Sequence, residues 1–207
     1  MVSRRKDVDL RRRPPKRSPR HRILCVCEGE VTEPAYLKEF QHEVRNQLVH
    51  VEPVGPAGVP LTVVQKAIEM RNVAERRAKD ERDENLKWDE VWAVHDCDDH
   101  PNISQAHALA NEEHIWLAFS NPSFELWALL HFEDLHAETH RRGVRAALKI
   151  HLPRYEKELD FQKIHQGYEE AKKRAEALDA EAKLLRQPGR NPTTSVFRLT
   201  ERIRTKN

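Results

Sequence analysis

Short apolar runs alternate with longer stretches of helical periodicity through the first two thirds of the chain. Ile23 to Cys27 is an unbroken apolar run of five residues, as expected of a strand covered on both faces. Glu28-Gly29 ends it. Thr32 is placed to cap a helix with Pro34 in its first turn. Tyr36, Leu37, Phe40, Val44 and Leu48 then recur at helical spacing. A second strand is expected over 48–54, closed by the turn Gly55-Pro56-Ala57-Gly58. Leu61, Val64, Ala67 and Ile68 open a second helix that becomes almost wholly charged through Glu84. Val91 to Val94 are the apolar centre of a third strand over 88–95. A helix near 103–113 and a fourth strand, Ile115 to Phe119, follow. Asn121-Pro122 supplies a cap and an N1 proline for a helix that is apolar on most faces, through Phe124, Leu126, Trp127, Leu129 and Leu130.

Strand and helix thus alternate four times, which predicts an α/β fold: a Rossmann-like, mainly parallel sheet of about four strands flanked by helices, with right-handed crossovers. From about residue 139 the pattern is helical only. Ile164, Tyr168, Ala171, Ala175, Leu178, Ala182 and Leu185 step by four and three. Three alanine-rich heptads make a weak coiled-coil seam, so the expectation is an amphipathic helix lying on its own domain. Pro188-Gly189 breaks it, and a last helix is expected over 194–204. The chain divides into a basic arm (1–20), an α/β core (21–138) and a helical extension packing on that core (139–207).

Composition changes this picture in one place. Residues 1–22 carry ten Lys or Arg against Asp7 and Asp9, a net +8 in a chain whose total is +2, so the rest stands at −6. The arm has too few apolar groups to order itself. A solvated tail explains it. A nucleic-acid arm is the alternative, with Arg11, Arg12, Arg13, Lys16 and Arg17 as the phosphate-contacting candidates. Three cysteines in 207 residues build no disulfide framework, which points to a reducing cytoplasm. The longest apolar run is far short of the ~20 residues a membrane span needs, so no membrane association is expected.

The acids fall where a parallel sheet binds ligands. Glu28 follows the first strand, and Asp96 and Asp98 follow the third, both at the carboxyl edge. Residues two apart in extended chain face the same way, so Asp96 and Asp98 converge while Cys97 points oppositely. Such carboxylates repel unless a cation lies among them, and hard oxygen donors suit Mg²⁺ or Mn²⁺. Acids near strand ends are also ordinary solvated caps, the reading preferred for Asp99, and spacing alone does not separate the two. His100 is a candidate general acid, with surface filling as the bland alternative; His131 is expected in the core. Cys25 and Cys27, with His95 or His21, offer zinc donors, but no second pair completes a set, so inert buried thiols are expected. Trp116, Phe119, Phe124 and Trp127 are expected to be core rather than a base-stacking platform.

Four ordered segments carry a resemblance. Glu28-Gly29 with Thr32-Glu33-Pro34 and Tyr36 matches the pattern E-G-x-x-T-E-P-x-Y. Asp96, Asp98, Asp99 and His100 match D-x-D-D-H. Residues 120–132 match S-N-P-x-F-E-L-W-x-L-L-H-F, and 191–194 match N-P-x-T. Together they resemble the RloB-like family, and they bracket about residues 23–200. His95 and Cys97 stand where that family often has other residues. The resemblance implies a Toprim-like fold, associated with bacterial defence loci. Toprim domains hold Mg²⁺ with a Glu after the first strand and a D-x-D after a later one, for phosphodiester chemistry. Carried over, Glu28, Asp96 and Asp98 become metal positions, Glu33 resembles the second acid of the nuclease subgroup, and Glu125 is a candidate for a second metal. Defence nucleases of this kind often work with an ATPase, and no G-x-x-x-x-G-K-[ST] loop occurs here.

The leading expectation is a cytoplasmic, Mg²⁺- or Mn²⁺-dependent nuclease acting on DNA or RNA, tRNA included, in abortive phage defence. Nucleic acid, an ATPase and a second copy of the chain are its candidate partners. The alternative is a non-catalytic module that docks nucleic acid or an ATPase; a third reading is nucleotidyl transfer or ligand sensing at the same site.

Overall fold

The computed structural model describes residues 20–97, 100 and 102–205. Asp98 and the five candidate arm residues Arg11, Arg12, Arg13, Lys16 and Arg17 lie outside them. The strands are β1 (His21–Cys27), β2 (Val49–Val54), β3 (Glu90–Asp96), β4 (Trp116–Asn121) and β5 (Thr193–Thr194). The helices are α1 (Thr32–Val44), α2 (Pro60–Glu81), α3 (Ile103–Glu112), α4 (Glu125–Leu129), α5 (Arg141–His151), α6 (Phe161–His165), α7 (Tyr168–Leu184) and α8 (Val196–Thr205). The fold is α/β as expected. One sheet runs β2-β1-β3-β4-β5, parallel except for β5 against β4.

Alternation along the strands sorts the core into two layers. Ile23, Cys25, Cys27, Trp92 and Val94 face one side, packed with α1 and α4 to α8. Leu24, Val26, Val91 and Ala93 face the other, packed with α2 and α3. All seven residues of β3 are buried, so it is a central strand with both faces covered. The first layer is the larger: Trp127, Leu126, Leu129 and Leu130 are fully buried beneath Tyr36 and Phe40. Among the described residues no helix is long and apolar enough to cross a membrane.

Several boundaries differ from the sequence reading, each for a physical reason. The fifth strand is two residues long, too short for any periodicity to register. Side chains reinforce it: the Ser120 and Thr194 hydroxyls share a hydrogen bond of 2.8 Å, and Phe119 N–H donates to Ser195 Oγ at 2.9 Å. The last helix therefore starts at Val196. β3 begins at Glu90 rather than Trp88, because buried Glu90 accepts from Trp92 Nε1 at 3.0 Å and pairs with Arg202 at 2.6 Å. It also extends one residue further, taking Asp96 into the strand. Thr32 makes no cap; its hydroxyl donates to the Lys157 carbonyl at 2.7 Å. Asn121 ends β4 instead of capping a helix, and its amide donates to the Gly189 carbonyl at 2.8 Å. The four-three seam is interrupted at Gly167, where a Cβ would collide with the His131 carbonyl oxygen. Tyr168, Ala171, Ala175, Leu178 and Ala182 are nonetheless buried within this chain.

Candidate functional site

In the order 2-1-3-4 the chain leaves β1 for β2 on one side and reaches β3 on the other. The crevice between the carboxyl ends of β1 and β3 is therefore a topological switch point, where open parallel sheets bind ligands. Glu28 leaves β1 there, with its N–H donating to the Val94 carbonyl of β3 at 2.9 Å. Its carboxylate spans the gap, since Asp96 N–H donates to Glu28 Oε2 at 3.0 Å. His100 Nε2 lies 3.7 Å from Glu28 Oε1.

The turn after β1 is shaped by close approach. A Cβ on Gly29 would collide with the Glu33 carboxylate, and one on Gly55 would collide with the Gly29 carbonyl oxygen. Glu33 can thus fold back over the start of α1, where the N–H groups of Gly29 and Glu33 itself bind its carboxylate. Burial still outweighs those bonds. Glu33 is 5% exposed, and its pKa is raised, first by desolvation and further by Glu28 and Glu125.

Asp96 is buried too. Its Oδ1 accepts from Phe124 N–H at 2.8 Å, and its Oδ2 accepts from Arg141 of α5. Its pKa stands well above the ordinary carboxylate value: burial and Glu33 raise it, Arg141 lowers it, and Glu28 and Glu125 raise it again. Glu125 opens α4, held by Ser123 Oγ at 2.7 Å and the Tyr155 hydroxyl at 3.0 Å. Glu28, Glu33, Asp96 and Glu125 line one cleft of about 510 Å³, with Arg141, Arg145 and Lys157 at its wall.

The structure therefore brings together Glu28, Glu33, Asp96 and Glu125, with His100 at the edge. His131 is buried in the core, its pKa lowered by desolvation to about 4 while Nδ1 bonds the Trp127 carbonyl at 2.8 Å. Cys25 and Cys27 are buried with thiols pushed upward, and neither joins a metal-competent group of three among the described residues. Two functional candidates escaped the sequence reading. Arg141 and Tyr155 contact the acids from beyond residue 138, and the only trace of them is Arg141, Arg145 and Lys149 recurring every four residues on one helix face.

Four carboxylates crowded into one cleft, with the pKa values of Glu33 and Asp96 raised first by burial and further by their acidic neighbours, suit a hard divalent cation. Glu28, Asp96 and Glu125 would hold Mg²⁺ or Mn²⁺, since oxygen donors at this density fit those ions. No characterised relative and no solved structure matches the chain. The sequence model for RloB-like protein matches residues 23–203, which contain the sheet apart from the first two residues of β1, and the whole acidic cleft. The chain belongs to the RloB-like family.

Proposed function

We propose that this RloB-like protein is a metal-dependent nuclease that hydrolyses phosphodiester bonds in DNA or RNA, tRNA included. The observation that carries the reading is the convergence of Glu28, Glu33, Asp96 and Glu125 at the switch-point cleft, under a wall bearing Arg141, Arg145 and Lys157. Carboxylates alone repel phosphate; a floor of acids beside a cationic wall suits a cation and a phosphate together.

When bound, Mg²⁺ or Mn²⁺ supplies Lewis-acid activation of water and of phosphoryl oxygens. Glu28, Asp96 and Glu125 would hold it, joined by Asp98. Glu33 is the candidate base: its raised pKa suits it to accept a proton nearer neutrality than an ordinary carboxylate. Arg141 can exchange Asp96 for a phosphate oxygen, a swap that its planar donor fork favours. His100, whose Nε2 lies 3.7 Å from Glu28 Oε1, is the candidate acid for the leaving oxygen. A cytoplasmic role in phage defence, with an ATPase partner, is the setting that fits this chemistry.

The test is cleavage of plasmid, single-stranded DNA and total RNA with Mg²⁺ or Mn²⁺, against an Asp96→Asn control and with and without a candidate ATPase partner. Metal-dependent cleavage lost in the variant is expected. Equal cleavage by both proteins would remove these acids from the mechanism.

One observation favours a second reading. Arg141 pairs with Asp96, so this buried acid is countered by the protein's own cation. A non-catalytic module docking nucleic acid or an ATPase would need no more than this. Binding that is indifferent to Mg²⁺ and Mn²⁺, with no cleavage, would select it.

A further inference from the structure

We propose that His95, Cys97 and His107 form a second cation site, for Zn²⁺ or a similarly soft divalent ion, on the sheet face opposite the carboxylates. One donor atom from each residue lies within 4.8 Å of the others. Alternation along β3 is what separates this group from the acids. Asp96 shares the face of Trp92 and Val94, whereas His95 and Cys97 share that of Val91 and Ala93, against which α3 packs. His107 reaches the group from α3.

The hydrogen bonding of His95 specifies a ligand. Its Nδ1 lies 3.0 Å from the Asp96 carbonyl, which can only accept, so Nδ1 carries the proton. In that tautomer Nε2 holds a bare lone pair. That atom is buried with no hydrogen-bond partner among the described residues, and so is Nε2 of His107. Metal-bound imidazoles commonly donate their other N–H to a backbone carbonyl in this way. Ring packing accounts for the side-chain bodies: His95 and His107 lie 5.2 Å apart, and His107 lies 5.4 Å from Phe119. It does not account for two orphaned nitrogens beside a thiol.

Two imidazoles and a thiolate are the donor chemistry of Zn²⁺, not of Mg²⁺. Tetrahedral ligation needs the donors about 3.5 Å apart, a small closure from their present spacing, and leaves one position for water. A bound ion would tie the end of β3 to α3, across the segment that carries Asp98 and His100. It would thereby support the acidic cleft from behind without entering it.

The test uses the full chain, stripped with chelator and titrated with Co²⁺. One equivalent should give the near-ultraviolet thiolate-to-metal absorption and the visible bands of tetrahedral Co²⁺, and Zn²⁺ should displace it. Cys97→Ser should abolish the thiolate band. His107→Gln, at a partly exposed and more tolerant position, should weaken binding at least tenfold even if the serine variant folds poorly. Glu28→Gln and excess Mg²⁺ should leave the spectrum unchanged. Absence of the band in the parent overturns the proposal, and so does a band that persists in Cys97→Ser or follows Glu28→Gln instead of His107→Gln.

Discussion

The last residues of β3 present two faces built on opposite rules. On one, Asp96 is buried, yet both oxygens are occupied by Phe124 N–H and Arg141, and Glu28 is bonded to the Asp96 N–H. On the other, His95 is buried and His107 half-buried, and Nε2 of each is a buried atom with no hydrogen-bond partner among the described residues. Desolvation acts on both faces by disfavouring charge, so it pushes Asp96 upward and His95 down to about 4. The acids are thereby readied to take a proton or a cation, and the imidazoles are held as neutral donors. One residue of register separates the two chemistries, because successive side chains on a strand point to opposite faces.

The largest effect that sharpens this contrast is on activity. Asp96→Asn keeps an oxygen for Phe124 N–H but removes the charge. Losing an outer-shell partner of a metal site costs about 10–100-fold. A ligand should cost at least as much, so metal-dependent cleavage should fall about 100-fold or more. The melting temperature without metal should change little, because relief from Glu28 and Glu33 offsets the weakened Arg141 pair. A variant that cleaves like the parent would make the acidic face an electrostatic bystander.

The next effect is on stability and follows from pH. Histidines lowered to about 4 in the folded chain have unfolded values near 6.5, so their contribution is complete above pH 6.5 and is lost as pH falls through 4. For His131, buried against Trp127 and lowered by burial and by His165 and Arg174, the loss at pH 5 should be about 2 kcal/mol. Glu33 and Asp96 have the opposite sign: raised folded values mean that stability declines as pH climbs from about 4 through those values. Denaturant melts of His131→Gln between pH 5 and 7 should be flatter than the parent's. An unchanged slope would show that His131 is protonated in the folded chain.

A third effect concerns the turn that shapes the acidic face. Gly55→Ala drives a methyl into the Gly29 carbonyl, which is backbone and cannot step aside. A destabilisation of about 1–3 kcal/mol is expected, the usual cost of overpacking. Gly29→Ala meets only the flexible end of Glu33, so it should displace that carboxylate and lower activity with a smaller loss of stability. Equal melting temperatures for the two variants would contradict this ranking.

How much of this was legible in the sequence depends on the range of the signal. The apolar runs of β1 and β3, each ended by an acid, mark the positions of Glu28 and Asp96 in the sequence itself, because strand burial and edge position are local properties. Glu33 and Glu125 came through the family resemblance and not from periodicity. Arg141 was invisible: its contact with Asp96 spans 45 residues, and nothing in a helix pattern says which acid its basic stripe will meet. His107 was invisible for a related reason. Its meeting with His95 depends on α3 crossing one face of β3, a tertiary fact. The heptad stripe announced burial but not the break at Gly167, which answers to a carbonyl 36 residues earlier.

The smallest expected effect gives the sharpest separation of the two faces. A ligand at ten times its dissociation constant stabilises a protein by about 1.4 kcal/mol, which for a domain of this size is about 3–6 °C in Tm. Mg²⁺ should give such a rise in the parent and in Cys97→Ser, and a smaller one in Asp96→Asn. Zn²⁺ should show the reverse order at its own working concentration. Added together the two rises should be nearly additive, reduced slightly by repulsion between cations held on neighbouring residues of one strand. Thermal melts of the three proteins with each ion and with both decide the matter. If one substitution removes the response to both ions, the strand end holds a single mixed site, and the alternation of β3 does not separate hard donors from soft ones. If each substitution removes only its own ion's response, one residue of register is enough to set two metal chemistries back to back.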